Sequence, residues 1–204
     1  MADVAILPLA LSVMLGPQIL VGMLLITRKD PIKSSLIYIT AIILTLILTT
    51  YMYYSIIQRT DLHMASFAGV PMLKYFLIIL FIVLIIRSLL KRHQVTAPPK
   101  WMQGIATASL GKIFMIGLCL IAFMPTDIAV TFSIGSILNS ASSSFLEAWP
   151  FFGAVLFISF LPLIIYFSLG SNGSQYLEKV NRWLNTHGYI INIIVFTFFI
   201  FLLI

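Results

Sequence analysis

The sequence predicts an all-α integral membrane protein with about six transmembrane helices, and three observations carry that prediction. Apolar residues make up 61% of the 204 residues and charged ones only 9%, whereas a water-soluble domain carries about 25% charged residues. Mean hydropathy is +1.10. The charges collect in short clusters beside long apolar runs, so the formal net charge of +6 marks topology rather than a nucleic-acid partner.

A bilayer core about 30 Å thick needs roughly 20 apolar residues in a helix. The first candidate span is Ala5–Thr27. Met1-Ala2-Asp3 has no basic region and the apolar run from Val4 is too long, so a cleavable signal peptide is not expected. Ser35–Ile57 and Met72–Leu90 follow, then Ile113–Leu138, which Pro125-Thr126-Asp127 interrupts. Glu147–Leu169 is the fifth, and Gly188–Ile204 is a short sixth that is still apolar where the sequence stops.

Positive charge orients these spans. Arg28, Lys29 and Lys33 follow the first span, Arg87, Lys91, Arg92, Lys100 and Lys112 lie around the central loop, and Lys179 and Arg182 precede the last span. Ten of the twelve basic residues thus fall on one side, against Arg59 and Lys74 with Asp3, Asp61 and Glu147 on the other. The pattern predicts a multi-pass protein of the plasma membrane with both termini extracytoplasmic. Gln175 to Leu184 spaces Tyr176, Leu177, Val180, Trp183 and Leu184 as a short helix on the cytoplasmic surface. Pro98-Pro99-Lys100-Trp101 divides the chain near its middle.

Three spans, a basic loop and three more spans give two halves of opposite orientation. The expected division is a first three-helix repeat over 1–95, a cytoplasmic linker over 96–106 and a second repeat over 107–204. Pro17 lies 12 residues after Ala5, and Pro125 lies 12 residues after Ile113. Inverted-repeat transporters place their sites near the midplane, where paired helices are broken. Proline removes one N–H and clashes with a carbonyl a turn earlier, and in lipid the freed carbonyl needs a new partner or a wet cavity. Gln18 and Thr126, each directly after its proline, can supply that partner or contact substrate. The simpler alternative is that both prolines only kink their helices.

Asp127 is the sharper feature. It lies 15 residues beyond Lys112, roughly 22 Å along a helix axis. That depth is inside the membrane, where an ionisable group is a functional candidate, as proton carrier or counter-charge. If the helix instead stops at Pro125, Asp127 becomes a surface N-cap with a structural role only. The candidate substrate or coupling-ion residues are therefore Pro17, Gln18, Pro125, Thr126 and Asp127, with Ser12, Gly16 and Thr131 as neighbours of the breaks.

Other polar residues have ordinary explanations. Ser12, Thr40, Thr45, Thr49, Thr131, Ser133 and Ser159 are expected to hydrogen-bond neighbouring helices. Gly16, Gly22, Gly117, Gly135 and Gly153 are expected to permit close helix packing, Cys119 to pack as a small apolar side chain, and Lys74, Arg87 and Lys112 to snorkel. His63, His93 and His187 have no acid or thiol at ligand spacing, so no metal and no cofactor is expected. G-x-S-x-G, H-E-x-x-H and P-loop motifs are missing, which argues against an enzyme and against ATP-driven transport by this chain alone.

Several strings together resemble the GAP or Sap family of glycolipid-addressing proteins, within the lysine-exporter superfamily. They are Leu9-Ala10-Leu11-Ser12 with Gly16-Pro17, the basic break Thr27-Arg28-Lys29-Asp30-Pro31, Pro99-Lys100-Trp101-Met102, and Asn181-Arg182-Trp183-Leu184-Asn185. Their order and spacing cover nearly the whole length. The resemblance implies a six-span exporter fold of two inverted repeats, moving amino acids, ions or envelope glycolipids outwards. The family often has Asn-Pro-Lys at the fourth-span break. Here the matching residues are Met124-Pro125-Thr126, so amide and lysine are absent.

The function expected is secondary export, proton-coupled through Asp127, of a small amphipathic solute or a lipid, by rocking of the two halves. Membrane lipids are the expected partners, and a homodimer is compatible with a chain this small. The alternative is a non-transporting scaffold subunit for envelope-lipid processing, which needs a packing face but no titratable group in the membrane.

Overall fold

The computed structural model of the protein describes residues 2–14, 17–60, 71–90, 104–105 and 107–169, with scattered positions between 179 and 200. The expected surface helix over 175–184, the 98–101 stretch, His63, His93, Gly16 and most of the sixth span lie outside these residues, as does most of the 96–106 linker. The described elements are all helical: α1 (Ala2–Met14), α2 (Pro17–Ile26), α3 (Pro31–Thr60), α4 (Pro71–Leu90), α5 (Leu110–Phe123), α6 (Pro125–Ser140), a 3-10 turn (Phe145–Ala148) and α7 (Trp149–Leu169).

Among the described residues, α3 and the segment Phe145–Ser168 are each long and apolar enough to cross a membrane, and the bent pair α5–α6 counts as a third candidate. Their outward faces are apolar as well: Leu48 on α3 is 58% exposed and Phe157 on α7 is 62% exposed. Large apolar side chains on both faces are what a lipid solvent permits, whereas contiguous patches of this kind are rare on soluble monomers. The protein is a membrane protein.

Pro125 breaks its helix rather than kinking it. α5 stops at Phe123, Met124 is extended at φ −78°, ψ 123°, and Pro125 opens α6 at its first position. The cause is local. A residue before proline is pushed out of the α region, and proline suits the first helical position because its missing N–H would be unpaired there anyway. The two arms meet at 64°. Pro17 is the first residue of α2, and the two residues before it lie outside the described residues.

α3 runs alongside both arms of this bent pair and in the same direction. Two glycines permit the approach. A Cβ on Gly117 would lie 2.9 Å from the Ala41 Cβ, and one on Gly135 would lie 2.9 Å from the Tyr54 backbone nitrogen. The packing role expected for glycine therefore holds at these positions. It does not hold at Gly153, where a Cβ would meet nothing within 4 Å. Cys119, expected in the core, is exposed on α5.

α1 and α2 lie against α7, with Met14 beside Ser159 and Gly22 beside Pro162. The main core gathers Ile6, Leu9 and Val13 of α1, Val21 and Leu25 of α2, Ile42 and Leu46 of α3, Ile121 of α5, Val130 and Ile134 of α6, and Phe151 of α7. At one end of α3, Tyr51 and Tyr54 pack on Phe145, which packs on Phe152. Aromatic clusters of this kind are enriched at membrane–water interfaces.

The expected cross-helix hydroxyl bonds are mostly absent. Thr40, Thr45, Thr49, Thr131, Ser133 and Ser159 each close on the carbonyl four residues back in their own helix, with distances of 2.7 to 2.9 Å. Such back-bonding satisfies a hydroxyl without any neighbour. Ser159 alone of these also reaches another helix, at the Met14 sulfur, 3.4 Å away.

Candidate functional site

The starts of α2 and α6 meet inside the core. Gln18 is in the first turn of α2 and 1% exposed; Asp127 is in the first turn of α6 and 0% exposed. The Gln18 Nε2 donates to Asp127 Oδ2 at 2.6 Å and approaches the Met124 sulfur at 3.5 Å. The sequence offered two placements for Asp127, deep in a span or as a surface cap. Its helix does begin at Pro125, as the second placement required, yet the side chain is buried, as the first required.

The carboxyl is held on one side only. Oδ1 is buried and has no hydrogen-bond partner. Burying a polar atom without a partner costs about 1–3 kcal/mol, so such atoms are rare in folded proteins and call for an explanation. Tyr38 of α3 donates its hydroxyl to the Gln18 carbonyl at 2.9 Å. Thr131 bonds the Asp127 main-chain carbonyl at 2.8 Å and leaves the carboxylate untouched.

The structure brings Gln18, Asp127 and Thr131 together, while Gly16 lies outside the described residues. Pro17 is half-buried and contributes by starting α2, Pro125 is exposed at the elbow, Thr126 is half-buried, and Ser12 is buried at 7% exposure on α1. Tyr38 and Met124 were not among the expected site residues. The one available signal for Tyr38 was a phenol within a span, where tyrosine more often marks the interface.

A second polar junction joins separate parts of the chain. Arg28, read from the sequence as a topology marker, donates through its two terminal nitrogens to the carbonyls of Ile105 and Ala108, the latter at 2.7 Å. Both carbonyls lie just ahead of α5, whose N-cap Ser109 accepts from the Lys112 backbone N–H.

Among the described residues, no group of three or more His, Cys, Asp or Glu side chains is placed to hold a metal ion. The arrangement can instead take up or release a proton at Asp127, or accept one donor from a molecule reaching Oδ1.

No curated protein and no solved structure matches the chain. A family model described as Sap, sulfolipid-1-addressing protein, matches residues 6–204, a stretch that includes both residues of the buried pair. With nearly its whole length matched, this chain belongs to the Sap family.

Proposed function

We propose that the protein is a secondary exporter of a lipid or a small amphipathic solute, built as six spans in two inverted three-helix repeats and lying in the plasma membrane with both termini outside. The observation that carries the reading is the Gln18–Asp127 pair at 2.6 Å, buried where the first turns of two helices meet, with Oδ1 unpartnered. Paired helix breaks near the midplane are where transporters of this build hold their substrates and coupling ions. The family's description as sulfolipid-addressing supports a lipid as cargo.

In this mechanism the two halves rock about the buried pair, and Asp127 carries the coupling proton. Gln18 steadies the carboxyl without neutralising it, since an amide brings a hydrogen bond but no charge. Thr126, Pro17 and Pro125 border the path. The chain acts as a carrier and not as an enzyme.

The test is proton uptake and release by purified protein in liposomes, comparing wild type with Asp127→Asn across a panel of lipids and amphipathic solutes. A substrate-dependent flux lost in the variant supports coupled export. Equal behaviour of the two proteins with every candidate would sink proton coupling through Asp127 and favour a scaffold for lipid processing.

A further inference from the structure

We propose a second binding site, for the oxygens of a phosphate or sulfate group, at the junction of α2, α3 and α5. Three buried hydrogen-bond donors there lack partners: Arg28 Nε, Ser34 Oγ and Ser35 Oγ. Ser34 is 0% and Ser35 3% exposed. Thr40, Thr45 and Thr49 further along α3 close on the carbonyl four residues back, whereas the two serines, like Thr50 near its far end, do not.

Helical register turns the two serines toward the two helices that flank the start of α3. Tyr38 and Ala41 face Gly117 of α5, so Ser34, one turn before Tyr38, faces the first turn of α5. Ile39 packs with Met23 and Ile26 of α2, so Ser35, one turn before Ile39, faces the last turn of α2. Arg28 lies just past α2 and bonds the carbonyls of Ile105 and Ala108 ahead of α5, at the same end of the three helices.

The chemistry is that of an oxyanion site. The donors lack an acceptor, and α3 and α5 both begin here, with their N-terminal ends favouring negative charge. Lys29, Lys33 and Lys112 are exposed at the same end, and Asp30 adds one carboxylate to that rim. Arg28 is half-buried and forms the entrance, with the two hydroxyls deeper. Either a lipid headgroup or a free anion presents the required oxygens.

The full chain in detergent is titrated with short-chain phosphatidic acid, with diacylglycerol of the same chain length and with inorganic phosphate, and binding is read by native mass spectrometry and thermal shift. Phosphatidic acid should bind and diacylglycerol should not. Affinity should fall about ten-fold or more in Ser34→Ala/Ser35→Ala, the scale of a hydrogen bond to a charged group. The variant should be no less stable than wild type, since it removes hydroxyls that had no partner. Binding of inorganic phosphate alone assigns the site to free anions; a requirement for the acyl chains assigns it to a headgroup. Equal wild-type affinity for phosphatidic acid and diacylglycerol, or an unchanged affinity in the variant, overturns the site. Binding is measured without a gradient, so its failure is distinguishable from failure of proton-coupled export.

Discussion

The hydroxyl of Tyr38 donates to the main-chain carbonyl of Gln18 at 2.9 Å, so α3 steadies the residue whose side chain holds Asp127. Tyr38 is thus a positioning residue. Tyr38→Phe keeps the ring against Gly117 and removes one buried hydrogen bond, which costs about 1 kcal/mol. The expected result is a small drop in thermal stability together with a changed pH profile of transport in liposomes. A stability loss with an unaltered profile would reduce Tyr38 to a packing residue.

Gln18 and Asp127 should be energetically coupled. Gln18→Leu leaves both carboxyl oxygens without a partner and should cost about 1–3 kcal/mol, whereas replacing both partners by apolar groups is far less costly. Gln18→Leu/Asp127→Leu is therefore expected to be more stable than Gln18→Leu alone. A double-mutant cycle by thermal unfolding measures this directly; strictly additive losses would mean that the 2.6 Å bond contributes nothing.

How much of this was legible follows from the range of the interactions. The helix break at Pro125 could be read because proline acts on its own and the preceding residue. Asp127 stood out as an acid within an apolar run. Whether it was buried or a surface cap could not be read, because its burial depends on α2 and α3, far away in the chain. The inverted-repeat comparison paired Gln18 with Thr126, each directly after its proline, and no local pattern shows that Gln18 instead touches Asp127. Tyr38, Ser34 and Ser35 were invisible for the same reason: their significance lies in which helices they face. The hydroxyl bonds were misjudged because a threonine's own helix offers an acceptor as good as a neighbour's.

Gly135→Ala and Gly153→Ala should separate sharply. The first places a methyl 2.9 Å from the Tyr54 nitrogen, and backbone cannot give way as a flexible side chain can. Overpacking of this kind costs about 1–3 kcal/mol. The second adds a methyl with no described atom within 4 Å of it and gains alanine's better helix propensity. Unfolding midpoints should fall for the first and hold or rise for the second; a reversed order would contradict the packing of α3 on α6.

Ser142 closes α6 in the left-handed region at φ 51°. Its N–H bonds the Asn139 carbonyl, and the next N–H, of Ser143, bonds the Leu138 carbonyl at 2.8 Å, a Schellman termination that glycine suits best. Ser142→Gly should raise stability by about 1 kcal/mol, the lower end of the left-handed penalty for a residue with a Cβ. Unfolding in detergent checks it, and a destabilised variant would show that the serine side chain matters more than its backbone.

The elbow at Met124 also limits how the protein can move. Straightening it would require Met124 to enter a conformation that the Pro125 ring disfavours, and it would ask for a hydrogen bond from a nitrogen that carries no hydrogen. Covalent chemistry thus biases this joint, 64° in the structure, toward staying bent. In the proposed exporter, movement around Asp127 would then come from tilting the two arms as levers against their neighbours rather than from straightening the joint.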